Sequence, residues 1–309
     1  MPAFFFDPIF LAHDTGDGHP ERSDRLRSLL TAVQSSPQFP AGGPHECPPV
    51  DFEVLCRVHD PDYVQQVETL CESGGGMIDG DTVASPASFA AAMAAAGAVV
   101  TATEGVVRGE YPSAFCAVRP PGHHALPTRG MGFCLFNNVA VAAMHARVAL
   151  DVKRVLIVDW DVHHGNGTQA VFDADPSVFY LSLHRFPHYP GTGEPNETGT
   201  GDAKGTMLNV PLRAGTGHDE FLGALTAALN DAADRFAPDL IYISSGFDAA
   251  AGDMLGGLEL QAQTYAAATE AVRAVAKRFG HERIVSTLEG GYDLDQLAEC
   301  GRAHFEALP

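Results

Sequence analysis

The sequence predicts an α/β fold in which a mostly parallel central sheet of about eight strands carries helices on both faces. Short apolar runs, rich in β-branched and aromatic residues, recur along the chain and are typical of buried parallel strands. Longer helical stretches separate these runs, as they do in right-handed β-α-β units. Several runs also lead directly into unusual polar residues, which indicates a ligand site at the carboxyl ends of the strands.

Six apolar runs have the length and composition of buried strands, namely residues 114–118, 155–158, 178–183, 207–212, 240–243 and 284–288. The clearest helix is the alanine-rich stretch 89–107, for which Ser85 and Pro86 are the expected N-cap and first turn and Gly109 the expected end. Further helices are predicted at residues 138–149, 219–235, 262–279 and 295–305. No repeat, low-complexity tract or long linker interrupts the pattern, so we expect one domain over residues 1–309.

The composition, with 45% hydrophobic and 19% charged residues in 309, suits a globular chain with a sizeable core. The formal net charge of −20 argues against nucleic acid or an anionic membrane as a partner, because clustered Lys and Arg bind both. The six cysteines include no C-x-x-C pair, so neither a disulfide framework nor a cysteine zinc site is indicated. Residues 1–11 lack the basic segment of a secretion signal, and we expect a cytoplasmic location.

Polar segments follow four of the apolar runs. They are residues 119–124, 159–167, 244–248 and 289–293. Because the carboxyl ends of parallel strands lie at the same edge of a sheet, we expect these segments to meet there. The sequence therefore predicts one functional site assembled from four distant parts of the chain.

Asp161, His163 and Asp248 are the candidate metal ligands. Asp161 and His163 are two residues apart in a segment that leaves a strand, so their side chains point the same way. Three ligands of carboxylate and imidazole type leave positions open for water and a substrate oxygen, which is typical of a catalytic site. The set suits zinc but also admits Fe(II), Co(II) or Mn(II).

His123, His124 and Tyr292 are the candidate catalytic groups. Two imidazoles close to a metal-activated water can supply a general base and a general acid. Tyr292 follows two glycines that permit a close approach, and its hydroxyl can donate to a developing oxyanion. Each residue alone has an ordinary explanation, but the combination indicates amide hydrolysis.

Together these motifs resemble the histone deacetylase family within the arginase-deacetylase fold, and more closely its class II members and their bacterial relatives, the histone deacetylase-like amidohydrolases. The resemblance is carried by residues 119–125, 132–134, 159–167, 246–253 and 289–293, and it extends to residues 19–22 and 58–63. It covers almost the whole chain. It implies a zinc-dependent deacylase that acts on the amide of acetyl-lysine, or of a related acyl-lysine or acylamine.

The resemblance also implies a role for each site residue. The three candidate ligands would bind Zn²⁺, with Fe²⁺ as the alternative, while His123 and His124 would form a tandem acid–base pair and Tyr292 would polarise the scissile carbonyl. Asp159 would orient His123, whereas Asn166 would face His124, where class I members have aspartate. An amide orients a ring without stabilising its cation, so we hypothesise that His124 is the less basic histidine. Which histidine is the base stays open.

A substrate tunnel is a further implication of the resemblance. Gly132 and Phe133 match one wall, and Tyr189, in a loop of the shorter bacterial form, is the candidate for the facing wall. Leu255 stands where polyamine-selective relatives carry a glutamate. Because leucine offers no charge to a second ammonium group, we expect acyl-lysine to be favoured over acetylpolyamine.

A structural potassium ion is also implied. Family members hold it through the backbone around the metal loop and through one hydroxyl. The corresponding residues of this chain are Asp159, Asp161, His163 and Ser182.

Three other functions stay open at this point. An acetylpolyamine amidohydrolase is one, because Asp79 or Asp81 at the rim can supply the charge that Leu255 lacks. A catalytically silent reader of acylated lysine is the second, although every catalytic position is filled. An arginase-like ureohydrolase is the third, but Ala250 stands where its second metal requires a further aspartate. The expected partner is an acylated lysine peptide or a small acylamine, and a homo-oligomer is left open.

Overall fold

Seven strands form a fully parallel central sheet in the computed structural model, which describes residues 1–309. Across the sheet they follow the order β1 (Ala3–Phe5), β4 (Ser113–Cys116), β9 (Ile284–Leu288), β8 (Leu240–Ser245), β5 (Val155–Asp159), β6 (Val178–Arg185) and β7 (Met207–Leu212). Strands β2 (Gly76–Met77) and β3 (Val83–Ala84) form a small antiparallel hairpin of their own. Strands β4, β5, β8 and β9 are buried along their whole length, which explains their continuous apolar sequence.

The predicted α/β fold with a parallel sheet is confirmed, and the principal sheet has seven strands rather than about eight. All six predicted strands are present. The strand of this sheet that the sequence pattern missed is β1, which pairs with β4 at the edge, Ala3 opposite Ala114, and the short hairpin strands β2 and β3 were not predicted either. The three residues of β1 are too few to display a periodicity, so only the pairing identifies it as a strand.

Helices cover the sheet in two groups. One group consists of α1 (Asp24–Gln34), α7 (His218–Arg235), α8 (Ala262–Arg278) and α9 (Leu294–Ala307), which pack side by side. The other consists of α3 (Pro61–Glu72), α4 (Ser88–Arg108) and α5 (Asn138–Ala149), with the short α2 (Phe52–Leu55) and α6 (Asn166–Phe172) beside α5. Two 3₁₀ helices, Pro8–Ala12 and Gly201–Ala203, complete the secondary structure.

The start of α4 differs from the prediction. The helix begins at Ser88, and Ser85 does not cap it; instead the Ser85 backbone N–H donates to Ser88 Oγ over 2.7 Å. His13 Nδ1 lies 2.6 Å from the same Oγ, so this contact across the fold fixes the turn before the helix. Gly109 ends the helix as predicted, in the left-handed conformation with φ of 77°.

Helix α4 is also long and apolar enough, by length and composition, to cross a membrane, with a mean hydropathy of 1.5 over 18 residues. In the fold, 78% of that segment is buried. It packs against β4 and β9 on the sheet and against α5 beside it. Its apolar character is therefore accounted for by its place in the core.

The sheet order brings the predicted polar segments together. Strands β4, β9, β8 and β5 are immediate neighbours, although along the chain they come in the order β4, β5, β8, β9. All four run in the same direction, so the segments that follow them emerge at one edge. The candidate site lies at this edge.

Candidate active site

The three candidate metal ligands converge beneath this edge of the sheet. Donor atoms of Asp161, His163 and Asp248 all lie within 4.8 Å of one another, and all three side chains are buried. His163 Nδ1 lies 2.9 Å from Asp161 Oδ1 and 3.2 Å from Asp248 Oδ2. Asp161 and His163 come from the loop after β5, and Asp248 comes from the segment after β8.

Backbone N–H groups hold the two carboxylates in place from behind. Asp161 Oδ2 accepts from the Gly290 N–H over 2.8 Å, and Asp248 Oδ1 accepts from the Val162 N–H over 2.9 Å. Asp248 Oδ2, by contrast, is buried and receives no hydrogen bond. A buried carboxylate oxygen without a donor is energetically unfavourable. A cation bound next to Asp248 Oδ2 would remove this cost.

Two glycines leave the space that this arrangement needs. A Cβ at Gly290 would overlap Asp248 Oδ2 and lie 2.6 Å from Asp161 Oδ2. A Cβ at Gly246 would likewise overlap Asp161 Oδ2. Neither position accepts a larger residue while the carboxylates stay where they are.

The charges of the three ligands are strongly coupled. Burial and the charge of Asp161 raise the pKa of Asp248 to about 7. Burial lowers the pKa of His163, but its contacts with the two carboxylates outweigh burial and raise the pKa to about 10. A divalent cation would balance the two carboxylates and take the place of the proton on His163. The donor set, the unpartnered oxygen and the glycine cradle therefore fit such an ion.

The tandem histidines lie beside the ligands, in the segment after β4. Their rings are 4.0 Å apart and both side chains are buried. His123 Nδ1 lies 3.1 Å from Asp159 Oδ2, and His124 Nδ1 lies 2.8 Å from Asn166 Oδ1. The pairings of both rings are thus those that the resemblance implied.

The two imidazoles differ in basicity. Burial lowers the pKa of His123, but the charges of Asp161 and Asp159 outweigh burial and raise the pKa to about 10. Burial lowers the pKa of His124 well below its ordinary value, and the neighbouring His123 and His163 lower it further. The amide oxygen of Asn166 acts in the opposite direction. Both rings are buried, but the Asp159 carboxylate faces His123 whereas the uncharged Asn166 faces His124, so His124 is the less basic ring.

Tyr292 follows the glycine pair after β9 and lines the same cavity as His124 and His163. Burial raises the pKa of its hydroxyl well above the ordinary value, so the hydroxyl stays protonated and can act as a donor. Arg25 packs over the ring, with its guanidinium carbon 4.9 Å from the ring centroid. The same guanidinium donates to the carbonyl oxygens of Glu289 and Gly291, at 2.6 and 2.5 Å.

The cavity has a volume of about 380 Å³, and its lining includes all four residues predicted to bind substrate, Gly132, Phe133, Tyr189 and Leu255. Phe133 has a left-handed backbone with φ of 68°, and its ring lies edge-on to Tyr292 with centroids 5.8 Å apart. Tyr189 lies edge-on to His124 at 5.1 Å. These rings make the wall of the cavity aromatic close to the tandem histidines.

The other predicted residues lie behind the cavity or at its mouth. Asp159, Asp161 and Asp248 are fully buried and do not line it. Asp81 is exposed and lines the mouth, whereas Asp79 Oδ1 accepts from the backbone N–H of Asp81 over 3.2 Å. The rim acids therefore differ in what they can offer to a substrate.

Ser182 lies opposite Asp159 on the neighbouring strand β6, and its Oγ is 2.9 Å from His184 Nδ1. Potassium binding at Asp159, Asp161, His163 and Ser182 stays a prediction.

Residues that sequence reasoning did not assign to the site form a buried ionic network beside it. Glu21 is fully buried, and its Oε1 accepts hydrogen bonds from Arg119 Nε over 2.5 Å and from Arg25 Nη1 over 2.9 Å. Glu289 Oε2 accepts from the backbone N–H groups of Gly122 and His123, at 2.7 and 3.1 Å. Charged side chains are rarely buried, so the burial of this group indicates that it supports the site. Burial is not visible in the sequence, which is why these residues were not assigned to the site.

Comparisons with known proteins point to one group of enzymes. Residues 19–308 match the histone deacetylase domain. The chain is 38% identical to the histone deacetylase-like amidohydrolase of Pseudomonas aeruginosa, over 99% of this chain and 85% of that protein. It is 36% identical to a probable deacetylase of Archaeoglobus fulgidus, over 94% and 81% of the two chains. Among solved structures, the HD domain of HDA15 matches with a TM-score of 0.94 at 37% identity, over 99% and 90% of the two chains.

Proposed function

The chain belongs to the histone deacetylase family and is a hydrolytic deacetylase, and from this premise we propose that it is a zinc-dependent deacylase of N-acetyl-lysine or a related acyl-lysine. The observation that carries the proposal is the convergence of Asp161, His163 and Asp248 next to two buried histidines and a cavity with an aromatic wall. Three protein ligands of this type are typical of a catalytic zinc site.

Zinc held by these three residues would polarise an amide carbonyl and lower the pKa of water towards about 7. The tandem histidines would move the protons. His123 is held by Asp159 and His124 by Asn166, so each ring has one nitrogen fixed and the other directed away from its partner. One ring would accept the proton of the attacking water, and a protonated ring would return a proton to the departing amine.

Tyr292 would donate its hydroxyl to the carbonyl oxygen as negative charge develops there. Its high pKa keeps the proton on the phenol, and Arg25 fixes the loop that carries it. We expect Tyr292→Phe to lower kcat by about 10²-fold, judged from the removal of oxyanion-hole donors elsewhere. Zinc affinity should not change, because Tyr292 is not among the ligands. Tyr111→Phe, at a tyrosine near Phe5 and His45, is the matched control.

The cavity favours acyl-lysine over acetylpolyamine in this proposal. Phe133 and Tyr189 offer apolar surface to the methylene groups of a lysine side chain, and Leu255 adds no charge. Two acidic residues line the cavity. Asp253 accepts a hydrogen bond from the backbone of the wall residue Leu255, whereas Asp81 is exposed at the mouth. An acetylpolyamine amidohydrolase is the second candidate function for this reason, and Leu255→Glu should shift the preference towards polyamines.

A substrate panel tests the proposal. The protein is stripped of metal, reconstituted with Zn²⁺ or Fe²⁺, and assayed with acetyl-, longer acyl- and lactyl-lysine peptides and with acetylpolyamine. We expect turnover of at least one acyl-lysine peptide, with the polyamine slower, and activity that follows zinc occupancy. Full zinc occupancy without turnover of any substrate would instead support a silent reader of acylated lysine. A faster polyamine reaction would favour the second candidate function.

A further inference from the structure

Asp253 holds the backbone on two sides of the cavity at once. Its Oδ2 accepts from the N–H groups of Tyr292, over 2.6 Å, and Asp293, over 2.9 Å. Its Oδ1 accepts from the N–H of Leu255 over 3.0 Å. The side chain is buried and is not among the metal ligands. One carboxylate thus joins the loop of the proposed oxyanion donor to the loop of a cavity-wall residue.

The loop before Tyr292 needs such an anchor. Gly290 and Gly291 precede it, and Gly291 has φ of +123°, a conformation that few other residues adopt. Arg25 binds the carbonyl oxygens of this loop, and Asp253 binds its N–H groups. Two glycines leave the backbone free to rotate, so the position of the phenol depends on these side chains.

The wall loop is fixed from the other side. His188 Nε2 lies 2.8 Å from the carbonyl oxygen of Leu255, and Arg185 Nη1 donates to that of Gly256 over 2.8 Å. The Asp253 carboxylate supplies a further contact, to the N–H of Leu255. A substrate chain that packs against Leu255 therefore contacts a loop that the Asp253 carboxylate links to the loop of Tyr292.

We propose that Asp253 is a positioning residue that couples the cavity wall at Leu255 to the orientation of Tyr292. The inference rests on the proposed function, because Tyr292 is taken to donate to the carbonyl oxygen. All three hydrogen bonds of the carboxylate come from backbone N–H groups, so it acts through the backbone of both loops. Misplacement of a donor by about 1 Å can cost on the order of 10²-fold in rate, so loss of the anchor should appear in kcat.

Asp253→Asn is the sharpest variant, because it keeps the shape of the side chain but has one acceptor oxygen instead of two. One of the two loops must then face an NH₂ group, which donates and cannot accept. We expect kcat to fall by about ten-fold or more, with the dissociation constant for zinc within about two-fold of the unchanged protein. Asp60→Asn is the control, since that carboxylate accepts from a backbone N–H at the start of α3. The control should change neither quantity.

A double-mutant cycle with Tyr292→Phe separates positioning from general damage. If Asp253 acts through the phenol, Asp253→Asn should lower kcat hardly at all in the Tyr292→Phe background. An equal fold-loss in both backgrounds would overturn the inference. Asp253→Glu keeps both oxygens and should retain more activity than Asp253→Asn; it serves in the same cycle if the asparagine variant fails to fold.

Amide hydrogen exchange gives a readout that does not depend on turnover. In Asp253→Asn, exchange should become faster at the N–H groups of Tyr292 and Asp293, or at that of Leu255 if the remaining amide oxygen keeps the Tyr292 loop. Unchanged exchange at all three groups would overturn the inference. Inactivity of the unchanged protein on every acyl-lysine substrate would count against the proposed function, and the exchange rates would still decide whether Asp253 positions the loop.

Discussion

Gly290→Ala should abolish tight zinc binding without unfolding the protein. The added methyl group would overlap Asp248 Oδ2 and lie 2.6 Å from Asp161 Oδ2, whereas real Cβ atoms essentially never approach other atoms within 3.0 Å. The backbone φ at this position is not in the left-handed region, so the expected effect is steric and local. Both affected oxygens belong to candidate metal ligands.

The size of the effect follows from the geometry. Asp161 Oδ2 would have to retreat by about 0.4 Å, and Asp248 Oδ2 by about 1.0 Å, merely to reach the 3.0 Å limit. Ligand distances at a metal site are held within roughly 0.2 Å, so the displaced carboxylates could not keep a good bond to the ion. Changes to groups that merely support ligands already cost about 10- to 100-fold in affinity. We therefore expect at least about 10²-fold weaker zinc binding, or about 2.7 kcal/mol.

Competition with a chromophoric chelator measures the dissociation constant for zinc in each variant. Gly223→Ala is the matched control, because a Cβ there meets nothing within 4 Å on the exposed side of α7. The control should bind zinc normally and gain about 0.5–1 kcal/mol of helix stability. Thermal unfolding without metal checks that both variants fold. Zinc affinity in Gly290→Ala equal to that of the unchanged protein would refute the assignment of the site.

Two further predictions concern stability. Glu21→Gln leaves Arg25 and Arg119 buried without a counter-charge and should lower the free energy of unfolding, measured in urea, by about 3–5 kcal/mol. The control is Glu220→Gln, which breaks an exposed ion pair with Arg213 and should cause no measurable change. Burial lowers the pKa of His304 to about 3 from an ordinary 6.5, so the unfolded chain binds the proton more readily. The contribution of His304 is therefore complete above pH 6.5 and is lost as pH falls towards 3, and His304→Gln should make the urea midpoint fall less between pH 7 and pH 5.

A specific result would contradict each of these two stability predictions. A Glu21→Gln protein as stable as the unchanged chain would mean that the two arginines find other acceptors or water. An equal loss of stability on acidification with and without His304 would place the acid sensitivity in other groups, of which His59, with its pKa lowered by burial to about 4, is the first to test.

Much of the architecture could be predicted because its signals are local. Continuous apolar runs identify strands that are covered on both faces, and Gly109 identifies the end of α4, since both depend on residues next to one another in the chain. The same holds for the candidate ligands. Asp161 and His163 lie close because of their spacing, and Asp248 was predicted to join them because it follows another strand that ends at the same edge of the sheet.

Other features depend on contacts between distant residues. The edge strand β1 exists through its pairing with β4, and the start of α4 is fixed by His13, 75 residues before Ser88. The amide partner of His124 suggested a weakly basic ring, but the largest cause of its low pKa is burial, followed by the neighbouring His123 and His163, and these depend on the packed fold.

The amino-acid sequence by itself determined which residue types stand after each strand, and so the kind of chemistry that the sheet edge can support. Only the tertiary structure decided that Arg25, 266 residues from Gly291, binds the loop of Tyr292, and that Asp253 ties that loop to the cavity wall. The physical reason is that periodicity and turn preferences act over a few residues, whereas a buried charge finds its partners only when the whole chain has packed.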